Sequence, residues 1–297
     1  MDLFYCDHYD MGLPPEHRFP ARKYGLLRES LEGDSRFLLR PAELARPEQL
    51  ARAHDPAYVD AFVAGRLDAS AQRRIGFPWS RELVARTMAS AGATLGAAAS
   101  ALRDGCSGAL AGGTHHAFYG EGAGFCVFND IAVAIQELRA TAGPRRFAVI
   151  DLDVHQGDGT AQIFADDADV FTLSIHGRNN FPFRKQTSSL DIPLEDGTGD
   201  AIYLEALEGA LPAVERFEPE AVFYQAGVDV LEEDTLGKLS LSMDGVDERD
   251  RQVFGLVKRL GVPLVITMGG GYARPIERTA EAHAQTYRVA AEMLARP

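Results

Sequence analysis

Cysteine is scarce in this chain. Its 297 residues hold three, Cys6, Cys106 and Cys126, with no CxxC spacing and an odd count. That argues against a disulfide framework and against a thiolate zinc site, and it fits a reducing, cytoplasmic setting. Basic charge is also short: 30 Lys and Arg against 43 Asp and Glu leave a formal net charge of −13. Proteins that grip a phosphate backbone present clustered Lys and Arg. The one basic grouping, KYGLLRES with its neighbours Arg18 and Arg22, is too sparse for that, so no direct nucleic-acid binding is expected. No run of about 18 apolar residues occurs. The opening MDLFYCDHYD has neither the basic start nor the apolar stretch of a signal peptide, so a soluble, unexported protein without a membrane partner is expected. Internal repeats, low-complexity tracts and long Gly/Ser linkers are missing as well.

What is present is ample apolar content, 46%, enough for the core of one domain spanning 1–297. Short apolar runs alternate with longer helix-like segments, the pattern of a parallel sheet covered on both faces. Strands are expected at GALAGG (108–113), RFAVIDLD (146–153), VFTLSI (170–175), AVFYQAG (221–227) and PLVITMG (263–269). Helices are expected at 81–103, 129–141, 199–215, 247–260 and 276–295. Asn129 is placed to cap the second, and Gly105 and Gly261 end the first and fourth. Residues 1–80 and 176–198 read as irregular, with turn-rich pieces such as HGRNNFPFRKQTSS.

Each expected strand hands over to polar residues: GGTHHAF, DLDVHQGD, SIHGRNN, GVDVLEED and GGGYARP. In open parallel sheets the ligand crevice lies outside the carboxyl ends of the strands, so these five loops should converge. Within AVIDLDVHQGDGT (148–160), strand alternation sets Asp151, Asp153 and His155 on one side and Ile150, Leu152 and Val154 on the other. Two carboxylates and an imidazole together are costly without a cation or hydrogen bonds. Catalytic zinc takes three N/O protein ligands and keeps a position open for water. Asp153 and His155 supply two, and the isolated Asp229 in QAGVDVL is the natural third; the alternative is that Asp151 and Asp153 cap turns.

His115 and His116 follow two glycines, and a histidine pKa near 6.5 suits a base that takes a proton from metal-bound water. Asp151 and Asp158 are spare to fix their tautomers, although a His-His pair in isolation is more often a surface or packing pair. Tyr272, after three glycines, could donate to a developing oxyanion, or it is an ordinary half-buried tyrosine on a turn. The GxGxxG spacing and the residues of a P-loop are missing there, which argues against nucleotide binding. Phe118, Phe128 and Phe183 are assigned to core packing.

Together these motifs resemble the zinc-dependent histone deacetylase superfamily. The resemblance runs in the family's order from HRFPARKY (17–24) through GGTHHAF, GFCVFND, DLDVHQGDGT, LSIHG and QAGVDVLEEDTLG to GGGYA (269–273). The short length and NFPFRK...LDIPLEDGTGD look most like compact bacterial members related to the class IV branch. The resemblance implies a single three-layer αβα domain with a central, mostly parallel sheet, the arginase/deacetylase-like fold. It implies one Zn2+ per chain, or Fe2+, on Asp153, His155 and Asp229. It implies His115 backed by Asp151, His116 backed by Asp158 and acting as general base and acid, and Tyr272 polarising the scissile carbonyl. Gly124, Phe125, Phe181, Leu236 and Gly270 would line the tube for the acyl-lysine stem. A structural K+ or Na+ would use backbone oxygens of Asp151, Asp153, His155 and Ile175 with the side chains of Asp151 and Ser174. Arg22 or Lys23 would match an arginine of the acetate-exit channel, and Asp234 matches the family pattern. Residues 60–80 offer no equivalent of the rim aspartate that grips the substrate backbone.

The reaction so implied is hydrolysis of acetyl or other acyl groups from lysine side chains of proteins or peptides by metal-activated water. Acetylpolyamines or other small acylated amines are the alternative substrates, since an acidic chain suits cationic molecules of either kind. An inactive acyl-lysine binding module would not need the complete set of ligands, histidines and tyrosine. An arginase-type ureohydrolase shares the fold but uses two manganese ions and a DxHxD run, whereas DLDVH is followed here by Gln156 and then Asp158. The EED at 232–234 is expected to add charge near the mouth. The oligomeric state is left open.

Overall fold

The alternation in the sequence becomes eight strands and ten helices in a computed structural model that describes residues 1–14, 16–141 and 143–294. In chain order they are β1 (Asp2–Tyr5), α1 (Arg22–Leu31), β2 (Leu38–Pro41), α2 (Pro47–Leu50), α3 (Pro56–Val63), α4 (Ala69–Ile75), α5 (Arg81–Asp104), β3 (Cys106–Ala109), α6 (Asp130–Ala140) and β4 (Phe147–Asp151). There follow α7 (Asp158–Ile163), β5 (Val170–Gly177), β6 (Leu190–Leu194), α8 (Asp200–Phe217), β7 (Ala221–Gln225), α9 (Met243–Leu260), β8 (Leu264–Thr267) and α10 (Ile276–Leu294). Ala295, the last residue of the helix expected at 276–295, lies outside the described residues.

The strands form one sheet in the order β2-β1-β3-β8-β7-β4-β5-β6, and every described pairing is parallel. Strands buried on both faces need apolar residues at every position. In β4, Ala148 and Ile150 enter the core beneath α8, α9 and α10, while Phe147 and Val149 enter the opposite core beneath α5 and α6. Val222 and Tyr224 of β7 alternate with Ala221 and Phe223 in the same way. The three-layer α/β expectation therefore holds, and the sheet is wholly parallel.

Three strands escaped the sequence reading. β1 and β2 lie in the stretch expected to be irregular, as do α1 to α4, and β6 lies within 176–198. Each of the three has only four or five residues, and β2 and β6 are edges, where Pro193 costs no ladder bond. α9 starts earlier than 247 because Ser242 accepts from the Gly245 N–H at 3.0 Å. β3 ends before the expected 113, since Gly112 and Gly113 both take φ of 76°, which breaks the ladder. β4 stops at Asp151. Beyond it, Asp151 accepts from the Asp153 N–H at 3.2 Å and Asp153 accepts from the His155 N–H at 2.9 Å, so side chains replace the strand partner. Asp153 and His155 thus sit on a loop and not on the strand face assumed above. No helix among the described residues is long and apolar enough to cross a membrane.

His54 ties α3's entry to the loop before α6. Its Nδ1 lies 2.9 Å from the Phe118 carbonyl, and its Nε2 accepts from the Asn129 N–H at 2.8 Å, which fixes a neutral tautomer. Burial lowers its pKa from 6.5 to about 4, although the carbonyls of Phe118 and Tyr119 oppose that. The unfolded chain binds this proton near pH 6.5 and the folded chain does not. Stability is therefore fully present above pH 6.5 and falls toward pH 4, by about 3 kcal/mol for this group. Urea unfolding at pH 7 and pH 4.5 should reveal the loss, and His54→Gln should flatten the slope while lowering stability at pH 7. Equal slopes in both proteins would refute the assignment.

Candidate active site

β3, β8, β7, β4 and β5 are consecutive across the sheet, so the loops at their carboxyl ends open onto one place. These are the five loops expected to converge. They floor a cavity of about 440 Å³ lined by, among others, His115, His116, Asp153, His155, Asp229 and Tyr272.

At the floor, one donor atom each from Asp153, His155 and Asp229 lies within 4.8 Å of the others. His155 Nδ1 is 3.0 Å from Asp153 Oδ1 and 3.1 Å from Asp229 Oδ2. Both carboxylates are buried, and Asp229 is pushed up to about 7, first by burial and then by the Asp153 charge. Two such groups converging on an imidazole is a donor set that a divalent cation satisfies. Space favours it too: a Cβ at Gly270 would collide with Asp229 Oδ2, so only glycine lets that loop close over the carboxylates, and its N–H donates to Asp153 Oδ2 at 2.7 Å. Among the described residues this is the one cluster of its kind.

Beside it, His115 Nδ1 is 2.7 Å from Asp151 Oδ2 and His116 Nδ1 is 2.6 Å from Asp158 Oδ1, all four side chains being buried. The environments push the two rings apart. Burial would lower His115, but Asp151 and Asp153 outweigh it and raise the ring to about 9. His116 is lowered to about 4 by burial and by its neighbour His115, with Asp158 opposing. The carboxylates beside His115 thus favour its charged form, and burial favours the neutral form of His116. Asp151 and Ser174 are register partners across β4 and β5, and Ile175 follows Ser174; Ser174 Oγ lies 3.0 Å from His176 Nδ1.

The loops are held in part by residues to which the sequence reading assigned no role. Asp130 accepts from the Gly113 and Thr114 N–H groups at 3.0 and 2.7 Å, fixing the turn that presents His115. Arg249, fully buried and paired with Asp250 at 2.9 Å, donates to the Gly227 carbonyl at 2.6 Å and to the Leu152 carbonyl at 3.4 Å. It links the two backbone segments that carry Asp229 and Asp153. The signal was available, since Val246, Arg249, Asp250 and Val253 share a helix face. Lys23 is the buried member of the Arg22/Lys23 alternative. Its Nζ lies 3.3 Å from the Gly271 carbonyl and 5.0 Å from the Tyr272 ring centroid, and burial lowers it to about 8. Arg22 is exposed and pairs with Glu277. Asp234 turns inward, accepting N–H bonds from Tyr272 at 2.6 Å and from Leu236 and Gly237. Glu233 pairs with Arg278. Two of the three EED charges, Glu233 and Asp234, are therefore spent on these bonds, and Glu232 is exposed.

Gly124, Phe125, Phe181, Leu236 and Gly270 all line the cavity. Phe125 holds a φ of 67°, a conformation costing roughly 1–2 kcal/mol in a non-glycine residue. Its N–H is pinned to the Ile75 carbonyl at 2.7 Å, which turns its ring onto Phe19 and Phe77. Phe181 stands edge-on to His116 at 4.9 Å. Of the phenylalanines assigned to the core, Phe128 is buried and Phe118 is half-buried, but Phe183 is 88% exposed at the cavity mouth. The loop after β5 turns outward there, with Lys185 Nζ donating to the Asn180 and Pro182 carbonyls.

A family model described as histone deacetylase domain matches residues 17–288. An uncharacterized protein of Picosynechococcus is 42% identical, with 98% of each chain covered. The acetoin utilization protein AcuC of Bacillus subtilis is 34% identical over 86% of this chain and 73% of its own. A histone deacetylase-like amidohydrolase of Pseudomonas aeruginosa is 33% identical over 80% of this chain and 67% of its own.

Proposed function

The chain belongs to the histone deacetylase family, and from that premise we propose that it is a zinc-dependent amidohydrolase that removes acetyl or other acyl groups from lysine side chains of proteins or peptides. One observation carries the reading: two imidazole–carboxylate pairs, His115–Asp151 and His116–Asp158, flank the Asp153–His155–Asp229 cluster at the floor of a cavity whose lining includes Phe125, Phe181 and Leu236. A binding module has no use for both pairs.

Asp153, His155 and Asp229 would hold the Zn2+, which when bound supplies positive charge that polarises the scissile carbonyl and acidifies the attacking water. His116 is neutral and tethered through Nδ1, so its Nε2 takes the proton of that water and then delivers it to the leaving amine nitrogen. Cationic His115, fixed by Asp151, keeps positive charge beside the reacting carbonyl and holds His116 neutral. The Tyr272 hydroxyl, kept protonated by burial, donates to the oxyanion that develops on the substrate. Gly124, Phe125, Phe181 and Leu236 exclude water around an extended methylene stem, and Gly270 closes the floor. Asp151, Ser174 and Ile175, with nearby backbone oxygens, would take the K+ or Na+ beneath.

The test is acetate release from an acetyl-lysine peptide by metal-stripped protein titrated with Zn2+. The rate should rise linearly and level off at one equivalent per chain. A plateau at two equivalents, or a rate independent of added metal, would overturn the reading.

A further inference from the structure

The acidic surplus of the sequence does not extend to the mouth of the cavity. Its lining includes four exposed cationic side chains, Arg18, Arg73, Arg74 and Lys238, and among the described residues its only carboxylates are Asp153 and Asp229 at the floor. A second cleft of about 380 Å³ shares Arg18, Phe125, Leu236 and Tyr272 with it and adds Arg274, with no carboxylate in its lining. Arg74 and Lys238 have partners in Glu121 and Asp196, both half-exposed surface pairs. Arg18, Arg73 and Arg274 have no carboxylate within 4.0 Å among the described residues. The Arg18 guanidinium is also held in place, 5.0 Å from the centroid of the Phe125 ring that forms the tube wall.

Arg73 and Arg74 complete the last turn of α4, where cations complement the helix dipole. That account leaves Arg18, Lys238 and Arg274, which come from three other segments of the chain. Four exposed cations in the cavity lining and a fifth, Arg274, in the cleft that adjoins it, in a chain of net charge −13, repel a cationic substrate and attract an anionic one at the step of entry. Exposed Phe183 and Leu236 line the same cavity, which suits a peptide with apolar and acidic side chains. The same segment, with Arg73 and Arg74, stands in the 60–80 region where no rim aspartate was found.

We propose that the substrate carries carboxylates beside the acylated amine, and specifically that the enzyme acts on acyl-lysine within acidic stretches of polypeptide, read by Arg18, Arg73, Arg74 and Lys238 in the cavity lining and by Arg274 in the adjoining cleft. This rests on the hydrolase reading above and narrows its substrate class. It sets acylated polyamines aside, because their free ammonium groups would face the same five cations.

The experiment compares the zinc-loaded protein on three acetyl-lysine peptides flanked by Asp/Glu, by Ala or by Lys/Arg, with free Nε-acetyl-lysine and an acetylpolyamine as further arms. The acidic peptide should exceed the neutral one by about tenfold in kcat/KM, roughly what two exposed ion pairs supply. The gain should lie in KM and shrink as salt is raised. Arg18→Glu should reduce the preference, and Arg18→Gln together with Arg73→Gln should reduce it without placing an acid at the α4 C-terminus. Free acetyl-lysine turned over better than the acidic peptide would assign the carboxylate to the amino acid itself and overturn the polypeptide assignment. Equal rates on all peptides, or preference for the basic peptide or the polyamine, would overturn the rim proposal while leaving the hydrolase reading intact. No hydrolysis of any substrate would sink that reading instead.

Discussion

Tyr272→Phe should lower turnover by about 10²- to 10³-fold, the usual cost of losing one oxyanion donor, while KM and zinc content stay near those of the unaltered protein. The loop that presents this residue is fixed by contacts that do not involve the hydroxyl. The Tyr272 N–H donates to Asp234, its carbonyl accepts from Thr235 Oγ1 at 2.8 Å, and Lys23 approaches its ring from beneath. The ring also meets Phe19 edge-on at 6.4 Å. A phenylalanine would keep all of these, so the change isolates the donor. Because the interaction forms only as the oxyanion develops, the loss belongs in kcat. Steady-state kinetics on an acetyl-lysine peptide, with metal analysis of the same sample, decide it; an unaltered kcat would remove Tyr272 from the chemistry.

Asp229→Asn should cost about 10²-fold or more in zinc affinity, since even removal of a residue that only orients a metal ligand costs 10- to 100-fold. Turnover should fall in step with metal content. The amide keeps an oxygen to accept from the Val154 N–H, which Asp229 Oδ1 does at 2.9 Å, so the loop need not rearrange. It also relieves the burial of a second carboxylate against Asp153, the two causes that raise Asp229. The metal-free variant should therefore melt no lower at pH 8 than the metal-free parent. Full zinc occupancy in the variant after dialysis would exclude Asp229 from the ligand set.

The residues that line the candidate site were legible because each lies in a loop directly following an apolar run. His115 and His116, Asp153 and His155, Asp229, and Tyr272 all stand at the ends of central strands, and such runs betray themselves by local composition. Their supports were not. Arg249 and Asp250 share a helix face with Val246 and Val253, which marks them as buried, but which loops they hold is set only by the packing of that helix. Composition does not separate Asp234 from its neighbours Glu232 and Glu233, and only the resemblance singled it out, yet it alone accepts three backbone N–H bonds. Phe183 looked like core because hydrophobicity says nothing about which way a loop turns.

The sequence by itself determined the parallel α/β class, the central strands and the identity of the donors, since those follow from short-range periodicity and from side-chain chemistry. Tertiary structure alone decided that β8 and β7 lie between β3 and β4, which brings Gly270 against Asp229 and both against Asp153. It also decided that cations from separate segments gather at one opening. Both depend on contacts between residues far apart in the chain, such as His155 and Asp229 at a separation of 74, and no local pattern of apolar and polar residues encodes which distant segments meet.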